Sequence, residues 1–111
     1  MMLNRGELDG VRVLKPESVD RMTSNQIGSL AMPDWGHGDR FGYGFGVVAE
    51  RGQRPEAVGS YSWAGFFSTY FWVDPKNELV GVLFTQTYPG GDPKLREEFR
   101  RLTYEALIDG K

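Results

Sequence analysis

Two runs of β-forming residues flank the turn Asp74-Pro75-Lys76-Asn77. One is Ser68–Val73, with Tyr70, Phe71, Trp72 and Val73; the other is Leu79–Gln86, with Val80, Val82, Leu83, Phe84 and Thr85. Aromatic and β-branched side chains suit a pleated, half-buried surface, and Pro presets the turn backbone. The pattern predicts an antiparallel hairpin. A lone hairpin is marginal in water, so the rest of the chain must supply more strands and a cover. Phe41–Val48, where aromatic residues alternate with Gly before two valines, is read as one strand. Its glycines suggest close packing against a neighbour. Ala57–Ser62 is a weaker strand. Ala64-Gly65 places a small-residue step beside the hairpin, where a backbone or ligand can come close.

The cover comes from the C-terminus. Asp92-Pro93 reads as cap and first residue of a helix. Leu95, Phe99, Leu102, Ala106 and Leu107 recur at helical spacing, so one face is expected to pack on the sheet, and Gly110 to close the helix. Glu97, Glu98, Arg100 and Arg101 then form its wet face. A shorter helix is expected from Pro16 to about Ser24, with Val19 and Met22 inward, although Lys15 is a poor cap. Met1-Met2-Leu3 reads as the tail of a helix, Gly6 and Asp9-Gly10 as turns, residues 25–40 as a long loop, and Arg51–Pro55 as a polar connection. The expected fold is α+β, with a three- to four-stranded antiparallel sheet and a C-terminal helix on one face. Residues 1–111 form one domain, without repeats.

Composition narrows the function. Thirteen basic and fifteen acidic residues give a net charge of −2, which argues against nucleic acid as a partner. The chain has no cysteine, so a disulfide, a thiolate nucleophile and a Cys-ligated metal are excluded. One histidine and scattered acids offer no metal-ligand spacing. No apolar run approaches the roughly 20 residues of a membrane helix, and no signal peptide is evident, so a cytoplasmic protein is expected.

Asn4-Arg5-Gly6-Glu7-Leu8-Asp9-Gly10-Val11-Arg12-Val13-Leu14-Lys15-Pro16-Glu17-Ser18-Val19 resembles the segment that serine β-lactamase-like hydrolases carry before their last strands. Gly59 through Gln86 resembles their closing strands. Trp63-Ala64-Gly65 stands where β-lactamases have Lys-Thr-Gly and the esterase-like branch has Trp-Gly-Gly, with Ala64 departing from Gly. The chain therefore looks like the C-terminal part of a class C β-lactamase-like, family VIII carboxylesterase. The resemblance implies a partial β-lactamase-like fold and hydrolysis of a small ester or amide without a cofactor or metal. It also implies that the backbone N–H of Phe66 is an oxyanion donor, that Trp63 lines the acyl pocket, and that Ala64 and Gly65 complete the site.

The family's nucleophile and base come as Ser-x-x-Lys, and its second motif is Tyr-x-Asn. Neither occurs here: no serine has Lys three positions on, and no tyrosine has Asn two positions on. A serine needs an adjacent base to react. The expectation is thus a segment that is inactive alone, or that needs a complementary N-terminal segment. The alternative is a non-catalytic β-rich module that self-associates or binds a partner. The resemblance places further elements over the sheet. Without them, strands 41–48 and 69–73 lack cover, so a dimer is expected, with Phe45 and Tyr70 on the open face. A self-contained triad of His37 with Asp34 or Asp39 and Ser60, Ser62 or Ser68 lacks support, since no Gly-x-Ser-x-Gly elbow is present.

Overall fold

The computed structural model describes residues 1–33 and 38–107. Two short strands, β1 (Glu7–Leu8) and β2 (Val11–Arg12), pair around Asp9-Gly10, both at positive φ. Helix α1 (Pro16–Met22) follows, with Pro first and Val19 buried. Lys15 gives it no side-chain cap, in line with its residue type. A five-stranded antiparallel sheet comes next, in sequential order: β3 (Arg40–Phe41), β4 (Gly46–Val47), β5 (Tyr61–Ala64), β6 (Tyr70–Asp74) and β7 (Leu79–Leu83). Helix α2 (Pro93–Glu105) closes the chain, and the Asp92 carboxylate accepts from the Lys94 N–H as its cap. The α+β class and the C-terminal helix hold as expected.

The strand count differs because 41–48 is not one strand. It folds back on itself, pairing Arg40 with Val47 and Phe41 with Gly46. Gly44, at φ 91°, makes that reversal, a conformation that carries no steric penalty without a Cβ. Gly42 leaves room for the Met22 carbonyl, which a Cβ would meet at 2.0 Å. The weak strand starts later than expected, at Tyr61, and runs to Ala64. Met1–Leu3 does not continue as a helix but turns, and Met2 and Leu3 pack on the sheet.

Strand periodicity gives the sheet two different faces. Val47, Tyr61 and Val73 form a buried cluster on one, joined by Phe45, Phe71, Met2 and Leu3. Tyr70, Trp72 and Asp74 point to the other, under α2, and Trp72 and Asp74 are fully buried. Trp72 lies across from Gly81, where a Cβ would stand 2.1 Å from its ring. Phe99 packs edge-on to the Trp72 indole, and Tyr104 lies nearly parallel to it while accepting a hydrogen bond from its Nε1 at 3.2 Å.

Two expectations about burial are corrected here. Tyr70 is not on an open face: it sits beneath Arg96 and Arg100 of α2. Phe45 packs against Tyr61 and Phe71. Leu95 and Leu102 stay half-exposed, so the packing face of α2 is the stripe through Arg96, Phe99, Arg100 and Tyr104. The aliphatic series runs beside that stripe. Gly110 lies outside the described residues.

A buried polar network fastens α2 to the sheet. The Asp74 carboxylate accepts from the Tyr104 hydroxyl at 2.6 Å, the Asn77 side chain at 2.8 Å, and the N–H groups of Ala57 and Asn77 at 3.1 Å. Burial pushes its pKa up, but the hydrogen bonds from Tyr104, Asn77 and Ala57 outweigh it and hold the carboxyl below the usual range. Burial, and then Asp74 itself, drive the Tyr104 hydroxyl far upward. Arg100 forms a buried ion pair with Glu56 at 2.7 Å and donates to the Tyr70 hydroxyl at 3.2 Å.

Candidate active site

The Trp63-Ala64-Gly65 run ends β5 and leads into the tight connection to β6. Gly65 donates its N–H to the Thr69 carbonyl at 2.9 Å, and Ser68 donates to the Gly65 carbonyl at 3.1 Å. Phe66, Phe67 and Ser68 are therefore a three-residue hairpin loop. Ser68 takes the left-handed conformation that such a loop needs at its last position, at φ 68°. Gly is favoured there, and a serine in that conformation stores strain of about 1–2 kcal/mol. Its hydroxyl gains something in return by accepting the Gly91 N–H at 2.6 Å. The small-residue step has a local cause: a Cβ on Gly65 would stand 2.0 Å from the Thr69 hydroxyl.

Within this loop the Phe66 N–H takes no acceptor among the described residues. An oxyanion donor must likewise keep its N–H available to a ligand. Trp63 packs edge-on to Phe41 at 5.4 Å and lies opposite Phe71, on the face away from α2. Gly65 and the Phe66 side chain instead border a groove of about 550 Å³ that runs past Leu83 and Thr85 to Leu95 and Arg96 at the start of α2. The fold thus brings Gly65 and Phe66 together at one loop and sets the Trp63 indole on the other face of the sheet.

Sequence reasoning missed the partner segment, 84–91. Thr85 donates its hydroxyl to the Phe67 carbonyl at 2.7 Å, and the Thr87 N–H donates to the same oxygen at 3.1 Å. Tyr88 then stacks on Phe66 at 4.9 Å. The Tyr88-Pro89-Gly90-Gly91 run signals the end of the sheet, but nothing in it shows where the chain docks.

The triad considered from sequence involves His37 and Asp34, which lie outside the described residues. Of its other members, Asp39 accepts the Ala49 N–H at 2.8 Å, and Ser60 and Ser62 are buried. No helix among the described residues is long and apolar enough to cross a membrane.

A family model described as Beta-lactamase matches residues 2–105. Two proteins of Mycobacterium tuberculosis are similar: "Uncharacterized protein MT1414" of strain CDC 1551 / Oshkosh, and "Protein Rv1367c" of strain ATCC 25618 / H37Rv. Each is 34% identical over 135 residues, covering 96% of this chain and 33% of the relative. The chain spans about a third of the length of these curated relatives. The family match takes in almost the whole sequence, and this chain belongs to the beta-lactamase family.

Proposed function

We propose that this chain is the closing, oxyanion-stabilising segment of a serine hydrolase that cleaves small esters or amides, of the carboxylesterase type. The observation that supports this reading is the Phe66 N–H, which has no acceptor among the described residues and directly follows Trp63-Ala64-Gly65, the run that resembles the family's motif. In acyl transfer the substrate carbonyl oxygen gains negative charge as the nucleophile adds. A preorganised N–H at that point stabilises the transition state more than the ground state. The resemblance assigns Trp63 to the acyl pocket, but the fold sets its indole on the sheet face away from the groove at Phe66. The nucleophile and its base belong to a Ser-x-x-Lys that these 111 residues do not contain, so a complementary segment must bring them. No residue here calls for a cofactor, and the lack of cysteine suits a reducing, cytoplasmic setting.

The pure chain should leave p-nitrophenyl acetate unhydrolysed and a fluorophosphonate probe unreacted. Co-expression with a family segment that contains Ser-x-x-Lys should restore labelling. Robust turnover by the pure chain overturns the reading.

A second reading, a non-catalytic self-associating module, is favoured by one feature. Strand β7, Leu79-Val80-Gly81-Val82-Leu83, lies at the sheet edge without a charged residue or proline; its Val80 and Val82 are exposed, as is Phe84 just after it. Such an edge is open to pairing with another chain.

A further inference from the structure

We propose that Phe66 and Tyr88, backed by Phe67, form a fixed platform for the aryl group of a neutral ester substrate. This rests on the acyl-hydrolase reading above and extends it to a substrate class.

Phe66 and Tyr88 lie nearly parallel, with centroids 4.9 Å apart and planes at 24°, and Phe67 meets them edge-on at 5.3 and 6.2 Å. Clustering has not buried them: Phe66 is 73% exposed, Phe67 42% and Tyr88 63%. Rings left wet in this way lose the stabilisation that burial would give, and a contiguous exposed aromatic patch marks a binding surface. The platform is also preorganised. The hydrogen bonds from Thr85 and Thr87 to Phe67 and from Gly91 to Ser68 tie its two loops together, so little ordering remains to be done on binding. Its position selects the ligand, because the free Phe66 N–H belongs to the same residue as the central ring. An ester that places its carbonyl at that N–H has its side group beside the platform.

The groove that starts at Phe66 holds about 550 Å³, within the range of small-molecule sites. Its charge argues for a neutral ligand. Its lining carries two carboxylates, Asp92 and Glu97, and two guanidiniums, Arg96 and Arg100, of which Arg100 also pairs with Glu56. A carboxylate ligand, the product of ester hydrolysis, adds an uncompensated negative charge to this balanced lining, whereas an uncharged ester does not.

The test uses the ¹⁵N-labelled chain and three probes followed by amide chemical shifts. Benzylacetone is a neutral aryl ketone with the shape of a phenylpropanoate ester, and no serine can hydrolyse it. Hydrocinnamate carries the same ring with a carboxylate, and methyl ethyl ketone lacks the ring. Saturable shifts at Phe66, Phe67 and Tyr88 are expected with benzylacetone, weaker ones with hydrocinnamate, and none with methyl ethyl ketone. Tyr88→Ala should weaken benzylacetone binding about two- to tenfold, the ratio that corresponds to one aromatic pair. Tyr88→Leu, which keeps the bulk, should also weaken it, and both variants should melt as wild type does. Shifts confined to other residues, an equal response to methyl ethyl ketone, or undiminished affinity in both variants would overturn the platform. The two readings fail separately. Aryl binding without acyl transfer in the complemented enzyme defeats the hydrolase alone, and acyl transfer without an aryl preference defeats the platform alone.

Discussion

Asp74 shows how one residue can do two jobs. From sequence it belongs to a turn; in the structure it is also the fully buried acceptor that joins the β6–β7 turn, the 57 region and α2 through Tyr104. Its folded pKa lies below the ordinary value. Its contribution is therefore complete above the unfolded carboxylate value of about 4 and is lost as pH falls through the folded value. Asp74→Asn should cost about 2–3 kcal/mol at pH 7, the scale of hydrogen bonds to a charged group. Thermal melts from pH 7 down to pH 3 should show the gap to wild type narrowing below about pH 4. A gap that stays constant would mean that the charge contributes nothing. Gly81 raises a steric question of the same scale. Gly81→Ala pushes a methyl into the Trp72 ring and should destabilise by about 1–3 kcal/mol. An unchanged urea midpoint would show that the indole moves aside freely.

At the scale of elements, α2 depends on what lies beneath it. Its aliphatic series, Leu95 and Leu102, is half-exposed, whereas Phe99 and Tyr104 meet Trp72, and Arg96 and Arg100 lie over Tyr70. Phe99→Ala should cost about 3 kcal/mol, in the range for removing a packed aromatic side chain. Leu102→Ala should cost roughly 1 kcal/mol or less, since half of the side chain is already wet. Chemical denaturation of the two variants checks the order. A reversed order would show that the leucines hold the helix. Helical spacing located this helix correctly, and the Asp92-Pro93 pair identified its cap. It could not rank the inward residues, because that ranking depends on the partners the sheet presents: a large indole, a phenol and a buried carboxylate.

For the whole molecule the open question is what meets β7 and the apolar side chains beside it. At about 25 cal/mol per Å², leaving Val80, Val82 and Phe84 wet is unfavourable, and closed two-fold pairing is the commonest remedy for a lone chain. The pure chain should therefore associate at about 100 µM, far above a micromolar dissociation constant. Val82→Glu should return it to monomer in light scattering. A wild-type monomer at that concentration would leave a complementary segment as the partner for this surface.

Residue order by itself determined the local elements of this protein. Asp-Pro pairs set the β6–β7 turn and the start of α2, aromatic and β-branched runs set the hairpin, and Pro16 set the start of α1. Each depends on backbone preferences within a few residues. The family was legible for the same reason, since it rests on short contiguous motifs. Tertiary structure alone decided the rest. It folded 41–48 into a hairpin, put Tyr70 beneath α2 and turned Met2 and Leu3 onto the sheet. It also brought Tyr88 onto Phe66 across 22 positions of chain. Those outcomes depend on which surfaces bury one another, and a contact between distant residues leaves no periodic trace along the chain that makes it.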